Sequence, residues 1–215
     1  MKIPFTVEQF FNVFAQYNTA VWPAQIVAYV IGAIMIVLAL RKTGYSGRGI
    51  SACLGLFWIW MGVFYHIWHF SRINPAAFAF GTFFILQGIL FFIVGTFMGR
   101  LDFRFTSTAH SIIGAIFILY AIVIYPLVGL LLGHAYPAAP LFGVAPCPTT
   151  IFTFGILLWS KRRIPLYLLV IPFLWSLLGM SAALNLKVPQ DYGLAVAGIV
   201  GTLLIVILNR KLGNI

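Results

Sequence analysis

AAFAFGTFFILQGILFFIVGTFM, residues 76–98, contains no Asp, Glu, Lys or Arg. At about 1.5 Å of rise per residue, a helix of that length clears the ~30 Å hydrocarbon core of a bilayer. Working outward, similar apolar runs occupy 20–40, 49–70, 107–132, 141–160, 164–186 and 192–209. Hydrophobic residues make up 62% of the chain and charged residues 7%, with a mean hydropathy of +1.06. A soluble domain carries roughly a quarter charged residues. The expected fold is therefore an all-α integral membrane protein: a seven-transmembrane-helix bundle, one domain over 1–215. Its connections are short, and no repeat of the inverted-transporter kind is visible.

Residues 6–17, TVEQFFNVFAQY, predict a short amphipathic interfacial helix. Thr6 and Gln9 fit a capping box, and Val7, Phe10, Phe11 and Phe14 fall on one face. The opening MKIPFTVEQFF lacks the apolar core and small-residue cleavage site of a secretory signal. Basic residues set the orientation. Arg41, Lys42, Arg48, Arg100, Arg104, Lys161, Arg162, Arg163, Arg210 and Lys211 fall on one side, and only Lys2, Arg72 and Lys187 on the other. That asymmetry puts the N-terminus outside and the C-terminus in the cytoplasm. Trp22 and Trp68 then read as outer interfacial anchors, and Tyr45 and Trp159 as inner ones. The net charge of +10 follows from basic loops between apolar spans and does not point to nucleic acid.

The predicted spans hold no ionised side chain, since Glu8, Asp102 and Asp191 all fall outside them. Carboxylate-driven pumps are disfavoured on that ground, and the last span offers no lysine for a retinal Schiff base. No catalytic triad, phosphate loop or HExxH motif occurs. Two cysteines on opposite faces do not form a disulfide framework. Chemistry is left to a few polar groups, Gln87 among them as a candidate substrate contact.

Most of these gather toward the outer face. His66 and His69 are three apart on one helix face, His134 closes the fourth span, and Cys147 is expected at a similar depth. Imidazoles with a thiolate suit Cu(I) or Zn(II), and histidine pairs also ligate haem. The expected metal ligands are thus His66, His69, His134 and Cys147. Cys53 and His110, near the inner face, read as packing residues.

One run departs from the spanning pattern: GHAYPAAPLFGVAPCPTTIFTF, residues 133–154, with Pro137, Pro140, Pro146 and Pro148. Pro146 and Pro148 are expected to bar a regular helix around Cys147. Thr149 and Thr150 would then cap a half-length helix whose free N–H groups bind a polar or anionic substrate. The alternative is an ordinary outer loop before a short or tilted fifth span. Pro126 and Pro172 are expected to kink their helices. Gly193, Ala197 and Gly201 form a small-residue face that fits helix packing, a homo-oligomer or a membrane-protein partner.

The blocks PFTVEQFFNVFAQYN (4–18), YHIWHFSRINPAAFAFG (65–81), FGVAPCPTTIFTFG (142–155) and IPFLWSLLGMSAA (171–183) resemble a family of small bacterial multi-pass membrane proteins catalogued as a domain of unknown function. The resemblance runs over nearly the whole chain. It implies a bacterial inner-membrane location and carries over no activity. The leading expectation is a protein that binds or transports a small solute or soft metal ion through an outer-facing cavity. The alternatives are a membrane-embedded haem or redox enzyme, and an accessory subunit of a membrane complex.

Overall fold

A computed structural model describes residues 4–41, 43–186 and 188–212; Lys2, Lys42 and Lys187, which entered the charge asymmetry, lie outside them. Within this range the chain is helical, with one isolated bridge between Phe103 and Ser160. In chain order the helices are α1 (Val7–Ala20), α2 (Ala24–Leu40), α3 (Ser46–Arg72), α4 (Ala77–Phe97), α5 (Ala109–Leu131), α6 (Pro146–Leu157), α7 (Tyr167–Leu186) and α8 (Tyr192–Lys211). Five runs are long and apolar enough to cross a membrane: α3, α4, α5, α7, and the run Pro189–Lys211 that contains α8. A sixth exists if α1 and α2, bent by 83° where they meet, count as one. Large apolar side chains such as Val30, Phe83, Ile116, Leu174 and Leu203 stand half-exposed on these helices, which suits contact with lipid.

The expected run 141–160 is shorter than a span. Only Pro146–Leu157 is helical, 12 residues, or about 18 Å. Every residue of α6 except Cys147 is buried, and the helix forms the centre of the bundle. Its approach to α5 is backbone to backbone. A Cβ on Gly114 would lie 2.6 Å from the Gly155 carbonyl, and one on Gly155 2.7 Å from the Gly114 carbonyl.

Prolines inside the long helices are compensated by neighbours. Pro126 cannot donate to the carbonyl four residues back, so α5 passes through a π-helical segment at Tyr120–Ile124 and the Tyr29 hydroxyl donates to Ile122 O at 3.3 Å. Pro172 likewise frees Leu168 O, which accepts from Gln87 Nε2 at 3.0 Å. Gln87 therefore closes a proline-broken ladder in the interior of the bundle.

The predicted capping box opens α1: Gln9 N–H donates to Thr6 Oγ1 at 3.1 Å and Thr6 N–H to Gln9 Oε1 at 2.8 Å. Phe10, Phe11, Phe14, Tyr17 and Asn18 are buried. Tyr17 donates to Val144 O at 3.0 Å, and Asn18 Nδ2 to the carbonyls of Pro137 and Ala139 at 2.6 and 2.8 Å. The helix is thus stitched to the proline-rich 133–145 segment.

At the opposite end, Phe105 N–H reaches Ala39 O, Lys161 N–H reaches Asp102 O, and Arg104 N–H reaches Trp159 O. Asn209 exchanges hydrogen bonds with Ile164. These links gather every described Lys and Arg except Arg72 at one end of the bundle. Tyr45, Trp22 and Trp68 are exposed as interfacial anchors would be. Trp159 is not: it is 3% exposed, with Nε1 donating to Ser111 O at 2.8 Å. The small-residue face of α8 is also used internally. A Cβ at Gly201 would meet Phe154 of α6 at 2.8 Å, one at Gly193 would meet the Tyr120 ring of α5, and Ala197 is fully buried. That face is therefore not free for a partner.

Candidate functional site

The Pro-Cys-Pro segment is helical, contrary to expectation. Ala145 is the N-cap, extended at φ −106° and ψ 142°, and Pro146 and Pro148 occupy the first turn. Proline is tolerated there because first-turn N–H groups have no intrahelical acceptor. Thr149 and Thr150 are consequently not caps. Their hydroxyls bond back to Ala145 O and Pro146 O at 2.7 and 2.8 Å, and Thr149 Oγ1 accepts Gly143 N–H at 2.8 Å. Nor is this helix start rich in donors. Ala145 N–H is spent on Leu141 O and the two prolines have no N–H, which leaves that of Cys147.

The side chain of Cys147 faces a cavity of about 330 Å³. Phe5 and Phe10 from the α1 side, Tyr65 and Phe70 of α3, Phe80 of α4 and Trp175 of α7 form its walls. Asn74 and Ser181 add polar atoms, and Asp191 is the one charged residue in the lining among the described residues. Asp191 is 1% exposed and ends the 3₁₀ turn Pro189–Asp191 that leads into α8. Tyr125 Oη donates to its Oδ1 at 2.6 Å, and the Cys147 thiol lies close to Asp191, Tyr125 and Trp175. Trp175 Nε1 is buried without a hydrogen-bond partner. The site thus joins a carboxylate, a thiol, a phenol and an unsatisfied indole N–H inside an aromatic box.

The four candidate ligands do not converge. His66, fully buried, sits behind the cavity wall with ring centroids 4.5 Å from Phe84, 5.0 Å from Tyr65 and 5.1 Å from Trp175. Neither of its nitrogens has a partner. The π-helical segment Met61–Ile67 carries Tyr65 and His66 inward. His69 Nδ1 is 2.7 Å from Phe64 O, with the ring against Tyr17. His134 stacks on Phe11 at 3.7 Å, and desolvation there lowers its pKa below the usual histidine value. Among the described residues no three His, Cys, Asp or Glu side chains are grouped to hold a metal ion. Both cysteines are free.

Asp191, Tyr125 and Trp175 are the residues that sequence reasoning missed. Asp191 lies one position before the expected start of its span, where a carboxylate reads as a loop residue. The available signal was scarcity: the chain has only three acids, and Tyr and Trp tips inside spans need polar partners.

No curated protein and no solved structure matches the chain. A family model, described as "Family of unknown function (DUF6064)", matches residues 7–214, and the chain therefore belongs to that family.

Proposed function

We propose that this is a seven-helix protein of the bacterial inner membrane whose aromatic cavity opens to the outer face and binds a small organic cation. On this reading α6 is a buried half-crossing, and α1 with the 133–145 segment forms its outer cover. The gathering of basic residues at the far end supports a cytoplasmic location for that end. Whether the bound solute is also carried across is a separate property of the same site.

One observation carries the ligand class: a fully buried Asp191 on an aromatic-walled cavity, with the Tyr125 hydroxyl donating to it and the neutral Cys147 thiol beside it. A buried carboxylate is stabilised best by a positive charge. Aromatic faces attract cations by roughly 0.5–2 kcal/mol each. An ammonium seated against Asp191 and the face of Trp175 satisfies both. The indole N–H would donate to an oxygen on the same ligand.

Trp175 provides the readout. Titration with benzylammonium should change the intrinsic fluorescence and raise the melting temperature, whereas benzyl alcohol should bind at least tenfold more weakly. Equal binding of the two would remove the cation assignment, and no binding of any small aromatic ligand would remove the cavity reading. Orientation is tested separately by cysteines placed at the exposed Tyr45 and Tyr136. An impermeant maleimide should label position 136, and not 45, in intact cells.

A further inference from the structure

We infer that the opposite, basic end carries a binding site for a phosphate group. A second cavity, about 790 Å³, lies there between the end of α2, the first turn of α3 and the 99–104 segment. Arg41, Arg48, Arg104 and Arg162 line it, with Asp102 as the one acid among the described lining residues.

Two of the guanidinium groups converge on Gly99. Arg162 Nη1 donates to Gly99 O at 3.1 Å. Arg48 lies across the same residue: a Cβ there would be 3.1 Å from its Nε and 3.3 Å from its Nη2. Gly99 itself has φ +61°, a conformation that suits glycine. Several positive charges gathered around one cavity attract an anion, the more so at low salt. Beside this cavity the pKa of Lys161 is lowered first by burial and then by Arg104, with Asp102 opposing.

The backbone adds donors. Ser46 N–H turns back to Thr43 O at 3.3 Å, and the next first-turn N–H groups, of Gly47 and Arg48, have no acceptor within the helix. They stand at the positive end of a 27-residue helical run. Thr43 and Ser46 hydroxyls, 2.6 Å apart, complete a polar wall. Planar guanidinium forks with backbone N–H groups recognise tetrahedral phosphate oxygens. The phosphate is that of an anionic lipid headgroup or of a soluble phosphoanhydride.

Purified protein in neutral detergent would be titrated with pyrophosphate and, separately, with phosphatidylglycerol and phosphatidylcholine, following thermal stability and native mass spectra. Stabilisation by pyrophosphate identifies a soluble ligand, and retention of phosphatidylglycerol over phosphatidylcholine identifies a lipid. Either supports the site when added salt weakens it and when Arg48→Gln and Arg104→Gln each lower the affinity ~10-fold. Arg210→Gln, at the same end but outside this cavity, is the control and should leave it unchanged. The site is overturned if neither probe binds the wild type above phosphatidylcholine, or if Arg210→Gln weakens binding as much as the other two.

Discussion

The two ends of this molecule hold opposite kinds of cavity. One is walled by aromatic rings and contains a single buried carboxylate; the other is polar and lined by four arginines. The difference reflects two physical requirements. Charges at a membrane surface need only water or headgroups, so they can be numerous and loosely held. A carboxylate inside an apolar box needs specific partners, and the chain supplies Tyr125 and Cys147. Function that rests on one buried charge is therefore sensitive to single atoms, whereas function at the basic end is spread over several residues.

The largest effect is expected where both ends depend on the same support. Gly155→Val forces a side chain into the Gly114 carbonyl at the α5–α6 contact and should destabilise the protein by about 3 kcal/mol. Thermal unfolding with both ligand classes measures it, and loss of one cavity alone would show that α6 does not couple the ends. Gln87→Leu should cost about 1–3 kcal/mol by orphaning Leu168 O. Because Gln87 lines neither cavity, ligand affinities in the folded fraction should stay within twofold. A larger loss of cation affinity would restore Gln87 as a substrate contact.

Tyr125→Phe removes the phenol that holds Asp191. It should change cation affinity by roughly tenfold, in line with a hydrogen bond to a charged group, and leave pyrophosphate or lipid binding untouched. The smallest effect is expected from Trp175→Phe, which keeps a ring but offers the ammonium a weaker aromatic face. A two- to fivefold weakening of benzylammonium is anticipated, about 0.5–1 kcal/mol, read by calorimetry because the fluorophore is gone.

Much of the helical framework was legible because bilayer thickness dictates run length: 49–70, 76–98, 107–132, 164–186 and 192–209 each correspond to a helix long enough to cross. The capping box was legible because its bonds join residues three apart. Less visible was anything decided by tertiary contact. Apolar content along 141–160 resembled a span, yet only twelve residues are helical, since Thr149 and Gly143 divert the chain into a turn before Ala145. Helix-breaking was expected of Pro146 and Pro148, but in the first turn they break nothing. The three-residue spacing placed His66 and His69 on one helix face; it could not reveal that His66 is enclosed by rings while His69 Nδ1 lies against Phe64 O. Asp191 escaped because hydropathy averages over a window, and one carboxylate at a helix start barely moves the average.

The central claim is that Asp191 makes the aromatic cavity selective for positive charge. Isothermal titration of the wild type and of Asp191→Asn with benzylammonium and benzyl alcohol tests it most directly, because asparagine keeps the shape and removes the charge. The wild type should prefer the cation by at least ~10-fold, and the variant should lose that preference while binding the alcohol as before. A preference for the cation that survives in Asp191→Asn would contradict the account.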